Sequence, residues 1–394
     1  MARVVPTHYI AACLIYLSSG SLYFFTFFSA LWLVILFGFG VFLAVNQRRV
    51  LVDRSLLIYA FTSTALFFGN GLLFREGLVA NIGIALKILG CLLIVAVIKH
   101  KLVDALILVT YHFAIGSLLM FVDLNTFGIV TGRLSGLLPE FQLNQEVFYH
   151  NFVFFAEMSR SSYGLVEFTS GRNGGIFWEP GAYQVILNIA LALHLNAVTK
   201  IDKISVVLIA TILSTFSTTG YIVLAIVISL FLVRNGLSVK KILLFAAIIV
   251  FVFLFGLYSK HGFEKLNLFL NYSVSPSVEF YGSQSRVFDT VTDLLMFADS
   301  PIVGHGPNMS EAIQSPFKGE RTGSSNSLTF FLSSYGMFVS LFFLYPVFSR
   351  RFRSPFGPFR VLFWIQMSVA AFIVSPLIIS LLCLSFIKKP MPSR

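Results

Sequence analysis

Residues 172 to 184, RNGGIFWEPGAYQ, put an arginine, two glycines, a glutamate and a proline directly ahead of an apolar run. Pro180 lacks an N–H and has its φ fixed, so it suits the first turn of a helix, with Glu179 beside the N-cap. The run that follows, GAYQVILNIALALHLNAV, is long and apolar enough to enter a bilayer. The unpaired N–H groups of its first turn then lie near one membrane surface, and such a helix end attracts anions. Arg172 offers a planar fork that fits phosphate, while Gly174 and Gly175 let backbone approach a bulky ligand. A lipid carrying a pyrophosphate suits this place. The alternative is structural: Arg172 anchors a loop to lipid headgroups and Glu179 caps a helix.

Other stretches bring further chemistry. SRVFDTVTDLLMFADS, from Ser285, reads as an amphipathic helix with Val287, Val291, Leu294 and Leu295 on one face and Arg286, Asp289 and Asp293 on the other. Arg286 in the first turn points a cation at a helix N-terminus, which a bound anion relieves; the alternative is an i, i+3 pair with Asp289. The two aspartates without a third ligand are weak evidence for a metal and read better as a solvated face. His305 lies in a GHG turn that its glycines and the flanking Pro301 and Pro307 expose, where imidazole can serve as a general base or merely as a hydrogen-bonding loop residue. Lys87 falls mid-way along an apolar stretch, a costly place for an ammonium group; it either lies beneath a substrate pyrophosphate or forms a buried pair or neutral amine. FSTTGY, from Phe216, concentrates hydroxyls at a break between apolar segments and suits hydrogen bonds across helices.

The elements that must position these residues are membrane helices. With 57% hydrophobic and 11% charged residues, 45 phenylalanines and a mean hydropathy of +0.86, the chain is far from a water-soluble domain, which carries about 25% charged residues. The expected fold is all-α and polytopic, a single membrane domain over 1–394. Spans are placed near 8–24, 27–46, 55–74, 78–98, 102–122, 179–198, 204–215, 219–234, 242–259, 326–347, 360–374 and 376–387. The count is twelve, with eleven as the rival because 204–215 and the last pair are short. Of the 28 basic residues, 18, among them Arg48, Lys99, Lys200, Lys240 and Arg351, fall in connections on one side with three aspartates, so that side is cytoplasmic and holds both termini. The basic balance therefore reports topology and gives no reason to expect nucleic acid.

Two long loops, 123–175 and 260–325, face the opposite, extracytoplasmic side. In the first, QEVFYHNFVFFAEMSRSSYGLVEF, from Gln145, alternates phenylalanine with charge in a way that suits an interfacial helix acting as a lid. Cys13, Cys91 and Cys383 are scattered in apolar stretches and suggest neither disulfides nor a metal cluster. Nothing matches nucleotide or zinc spacing, and no cofactor or metal is expected.

RNGGIFWEPGAYQ, then FSTTGY, Ser285-Arg286 and PIVGHGPN at 301–308, in this order and spacing over nearly the whole chain, resemble the O-antigen polymerase and ligase superfamily of bacterial envelope glycosyltransferases. Relatives often carry a basic residue after the serine of the second patch, where this chain has Thr218. The ligases carry a histidine just before an asparagine at the start of a later span; here Ser325 precedes Asn326, which brings the chain nearer to the polymerase branch. The resemblance implies a glycosyltransferase of the bacterial inner membrane. It would move a growing chain from undecaprenyl pyrophosphate to a sugar hydroxyl on a second lipid-linked unit, for O-antigen, capsule or exopolysaccharide. It also implies a flippase and a chain-length regulator as partners. Arg172, Glu179, Arg286 and His305 are then the catalytic candidates, and Gly174, Gly175, Lys87 and Asn326 the substrate-binding ones. A ligase, or a transporter of the same lipid-linked glycan, are the alternatives.

Overall fold

The computed structural model describes residues 4–26, 29–46, 52–75, 78–135, 137–138, 140–144, 147–161, 172–177, 179–236, 286–308, 326–349, 360–367 and 373–387. The described chain is mostly helical. Five of its helices are long and apolar enough to cross a membrane: α3 (Ser29–Asn46), α4 (Arg54–Leu73), α5 (Leu78–Ile98), α6 (Lys101–Thr126) and α12 (Ser327–Phe348). The span expected near 242–259 lies outside the described residues.

Contacts divide the chain into two compact units. The first takes its described residues from Met1–Trp32, Lys101–Gly256 and Phe356–Gln366. The expected span 8–24 is two helices here, α1 (Pro6–Ser18) and the short α2 (Leu22–Thr26), separated at Ser19 and Gly20. After α6 comes α7 (Ile129–Ser135), held to it by Asp123, whose carboxylate accepts from the Val130 and Thr131 amides. At the centre is α8 (Pro180–Ala197), packed against α6, α9 (Lys203–Ser214) and α10 (Thr218–Arg234). Every residue of α8 from Pro180 to Leu195 is buried, including Gln184, Asn188 and His194. Those polar residues are affordable because the helix meets protein on all sides: Asn188 Nδ2 donates to Gln184 Oε1 at 3.0 Å, and Gln184 Nε2 to Gln366 Oε1 at 3.4 Å. Gln366 lies on α13 (Arg360–Met367), shorter than the span expected over 360–374.

The interfacial helix expected within 145–168 is not what forms over its described part. A three-stranded antiparallel sheet stands there, β1 (Glu140–Asn144), β2 (Val147–Asn151) and β3 (Ala156–Ser161), in sequential order. EFQLN alternates polar and apolar residues with the period of a strand, and Phe152 and Phe155, buried in the turn between β2 and β3, close the hairpin through the Phe152 amide, which donates to the Phe155 carbonyl at 2.7 Å. Glu140, His150 and Glu157 stand side by side across the strands. Burial pushes the Glu157 carboxyl above its ordinary value, and His150 opposes this.

The second unit draws on Leu33–His100, Leu257–Pro355 and Met367–Arg394. In it α4 and α5 form a hairpin, α12 lies against α4, and α14 (Pro376–Leu384) against α5. Its core is aromatic: Tyr59 stacks near Phe343 and Phe386 and donates to the Phe343 carbonyl at 2.7 Å, and Phe67 meets Tyr335 edge-on. Helix α11 (Arg286–Asp299) packs along α12.

Candidate functional site

In the first unit the RNGG loop is riveted from several sides. Asn173, fully buried, donates from its backbone to the Ser214 carbonyl at 3.0 Å and from Nδ2 to Ser214 Oγ at 3.0 Å, while its Oδ1 accepts from the Gly175 amide at 2.9 Å. The last contact is an Asx-turn, for which asparagine two residues before a glycine is the sequence signal. Sequence reasoning passed over Asn173 in favour of its charged neighbour. Gly175 has φ of 55°, and a Cβ there would stand 2.6 Å from the Tyr183 ring. The close approach that its missing side chain permits is thus to Tyr183, and Gly174 is likewise buried, with the Phe177 carbonyl 3.4 Å from where its Cβ would be. Tyr183 in turn shares a hydrogen bond of 2.9 Å with Ser117 of α6 and stacks on Phe177. The sheet completes the mounting, since the Ala156 amide donates to the Gly175 carbonyl at 2.6 Å.

Arg172 closes the gap between two helices. Its Nε donates to the Thr215 carbonyl at 3.2 Å and Nη2 to the Phe216 carbonyl at 3.0 Å. These carbonyls end α9, so the cation sits at the negative end of a helix dipole. The anchoring role weighed for this arginine is therefore present, with helix carbonyls in the place of headgroups. Phe216 adopts φ of 46°, and Ser217 then caps α10 through its Oγ, which accepts from the Gly220 amide at 3.3 Å.

Glu179 is the N-cap of α8, in extended conformation with Pro180 at N1, and its carbonyl accepts from the Ala182 and Tyr183 amides at 3.1 and 3.2 Å. Its carboxylate makes no capping hydrogen bond. The side chain is half-buried, and it lies near Tyr149 of β2, whose phenol is pushed above its ordinary value first by burial and then by the Glu179 charge. Arg172, Gly174, Gly175 and Glu179 thus share one short, well-fixed loop.

The remaining candidates belong to the second unit. Arg286 opens α11; its side chain lies outside the described residues. The faces of this helix are the reverse of the expected ones. Asp289 and Asp293 are fully buried, whereas Val291 and Leu295 are 50% and 67% exposed. Asp293 accepts from the Thr329 hydroxyl at 2.7 Å, and Asn326 Nδ2 donates to Thr290 at 3.0 Å. Asn326 also caps α12, its Oδ1 accepting from the Leu328 and Thr329 amides. Asp293 is not on a solvated face because α12 presents the Thr329 hydroxyl to it, and Asp289 is buried one turn before it. Lys87 is half-buried on α5.

His305 is pinned rather than presented on an open turn. Its amide donates to the Ser333 carbonyl at 3.0 Å and that of Gly306 to Ser334 at 2.8 Å. The imidazole Nε2 lies 3.0 Å from the Met296 carbonyl and 3.4 Å from an Asp299 carboxylate oxygen. A carbonyl only accepts, so Nε2 carries the proton and Nδ1 is the atom left to take one. The segment fits a break in α12 at Gly336, which has φ of 69° and ψ of 175°. The Met337 amide donates to the Pro301 carbonyl at 2.7 Å across it. Among the described residues no group of three or more His, Cys, Asp or Glu is placed to hold a metal ion.

No family model, no curated protein and no solved structure matches this chain.

Proposed function

We propose that this membrane protein is a polymerase of lipid-linked oligosaccharide units. It would have about twelve spans, with both termini cytoplasmic and the active face outside. The reading draws on the motif order and on one observation above all: a rigidly mounted loop carries Arg172 and Glu179 to the N-terminus of a buried helix. In the reaction, the anomeric carbon of the donor chain breaks its bond to undecaprenyl pyrophosphate and bonds to the acceptor sugar's hydroxyl oxygen. The departing pyrophosphate gathers negative charge that Arg172 and Arg286 stabilise, and the hydroxyl proton passes to Glu179 or to His305 Nδ1. Gly174, Gly175, Lys87 and Asn326 act in this scheme through the shape and support of the site.

The test is mass spectrometry of lipid-linked glycans in cells with and without the protein. Loss of a polymerase leaves single units on the carrier lipid; loss of a ligase leaves long chains there, which would decide against this reading. The transporter reading rests on the buried amides Gln184, Asn188 and Gln366, two of which border a small internal cavity. It requires single units trapped on the cytoplasmic face instead. Orientation is checked by cysteines at Ser161 and Ser315, which should label from outside with an impermeant reagent, whereas one at Ser238 should not.

A further inference from the structure

The second unit carries a helix whose faces are ordered for an apolar surrounding. Along α11 Asp289 and Asp293 are buried, Asp293 against the Thr329 hydroxyl of α12, and Val291, Leu294 and Leu295 are exposed. In a loop bathed by water this orientation is backwards, because it buries two charges and leaves large apolar side chains in solvent. Against lipid it is the stable one, since ionisable residues in a membrane face the protein interior.

The chain after α11 gives the depth. Residues 301–306 bond to Ser333, Ser334, Met337 and Phe338 of α12. Those positions lie six to eleven residues from the first residue of that helix, about 9 to 16 Å along its axis at 1.5 Å per residue. Helix α12 is one of those long and apolar enough to span a membrane, whose hydrocarbon core is about 30 Å thick. Non-helical backbone is tolerated at such depth only where its polar groups are satisfied by protein, and here they are. The Pro301 and Ile302 carbonyls accept from the Met337 and Phe338 amides, the Val303 carbonyl accepts from Asn70 Nδ2 of α4 at 2.9 Å, and the His305 and Gly306 amides donate to Ser333 and Ser334. Ile302 is itself exposed, and so are Met337 and Phe338 beside it. Ile302 thus links the apolar side of α11 to the outer surface of a spanning helix, with the exposed carboxylate of Asp299, 3.4 Å from His305 Nε2, falling between Leu295 and Ile302 in the sequence.

We propose that residues 286–306 are a re-entrant membrane segment, entering beside the N-terminal end of α12, with the apolar face of α11 in contact with lipid acyl chains. The partner is bilayer lipid. The inference holds whichever glycan chemistry the protein performs, and it moves part of the loop expected over 260–325 out of water.

Nitroxide labels on single cysteines test it in the full protein reconstituted into phosphatidylethanolamine and phosphatidylglycerol liposomes, in a background without Cys13, Cys91 and Cys383. Val291→Cys and Leu295→Cys should relax with oxygen in preference to a water-soluble nickel chelate, matching Phe338→Cys on α12. Leu137→Cys, in the first unit, serves as the aqueous reference. Chelate accessibility like that of Leu137 would refute the proposal, and so would protection from both reagents, which would mean that protein covers the face. Should the cysteine variants fail to fold, the unsubstituted protein in liposomes of a phospholipid with a mid-chain diazirine should cross-link on irradiation within 287–303. Absence of those adducts alongside labelling of α12 would equally overturn it.

Discussion

Gly336→Ala is a sharp test of how the second unit is put together. At φ of 69° and ψ of 175° the residue lies in a region essentially confined to glycine, so a side chain there costs about 1–3 kcal/mol in backbone strain. The added Cβ would also stand 2.3 Å from the Ile302 carbonyl oxygen, a backbone atom that cannot swing away, and overpacking of this kind costs about 1–3 kcal/mol more. The approach is mutual, since a Cβ on Gly304, with φ of 72°, would meet the Ser334 carbonyl oxygen at 2.4 Å. The sum of about 2–6 kcal/mol should appear as opening of the contact between 301–306 and the break in α12. Each 1.4 kcal/mol is a factor of ten, so hydrogen exchange followed by mass spectrometry should find the protection of the Met337 and Gly306 amides reduced about thirtyfold or more. Gly38→Ala is the control: a Cβ there meets nothing within 4 Å, and alanine suits a helix better than glycine, so protection near it should hold or rise. Unchanged exchange at Met337 and Gly306 in Gly336→Ala, with the protein intact, would refute the packing argument.

Arg172→Lys should abolish polymer and also loosen the loop, because one ammonium nitrogen cannot reproduce the fork whose Nε and Nη2 reach the two carbonyls separately; a loss of about 1–3 kcal/mol is expected in detergent unfolding, and full-length polymer in this variant would remove Arg172 from the mechanism. Glu179→Gln should lower polymerisation in membranes about 10²- to 10⁴-fold as the base is lost; retained activity would assign that role to His305. Burial works against the Asp202 carboxylate, but the Ser205 amide, His194 and the Ser205 hydroxyl outweigh it and hold its carboxyl below the ordinary value. Its support of the start of α9 is therefore complete above pH about 4 and lost as pH falls through the lowered value. Exchange of the 203–207 amides at pH 6 and pH 3, corrected for intrinsic rates, should show this, and Asp202→Asn should erase the difference.

Much of the helical framework was legible because apolar runs of membrane length leave few alternatives: α3, α4, α5, α6, α8 and α12 all fall within a few residues of their expected bounds. The sheet was not. EFQLN alternates with period two, and the phenylalanine-rich composition of the stretch that follows outweighed that shorter signal. Helix α11 was found with its period right and its direction wrong, because the usual rule sends apolar side chains inward and the medium outside decides which way is inward. At the site, the charged residues drew attention while Asn173, which holds the loop, did not; its turn to Gly175 was legible, but its partners Ser117 and Ser214 are far away in sequence and become visible only once the helices are assembled.

Helix α8 has no side that faces away from protein, and this makes it a keyed shaft. One added or deleted residue would turn everything beyond it by about 100° and shift it by about 1.5 Å. An insertion between Asn188 and His194 would carry the imidazole away from Asp202, 2.8 Å distant now, or else swing Gln184 and Asn188 out of line with Gln366. The loops before and after the helix can absorb changes in length; the shaft cannot. The direction in which Glu179 leaves the top of α8 is therefore set by side chains several turns below it, and insertion scanning along 181–195 should silence the protein at positions that no substrate would ever touch.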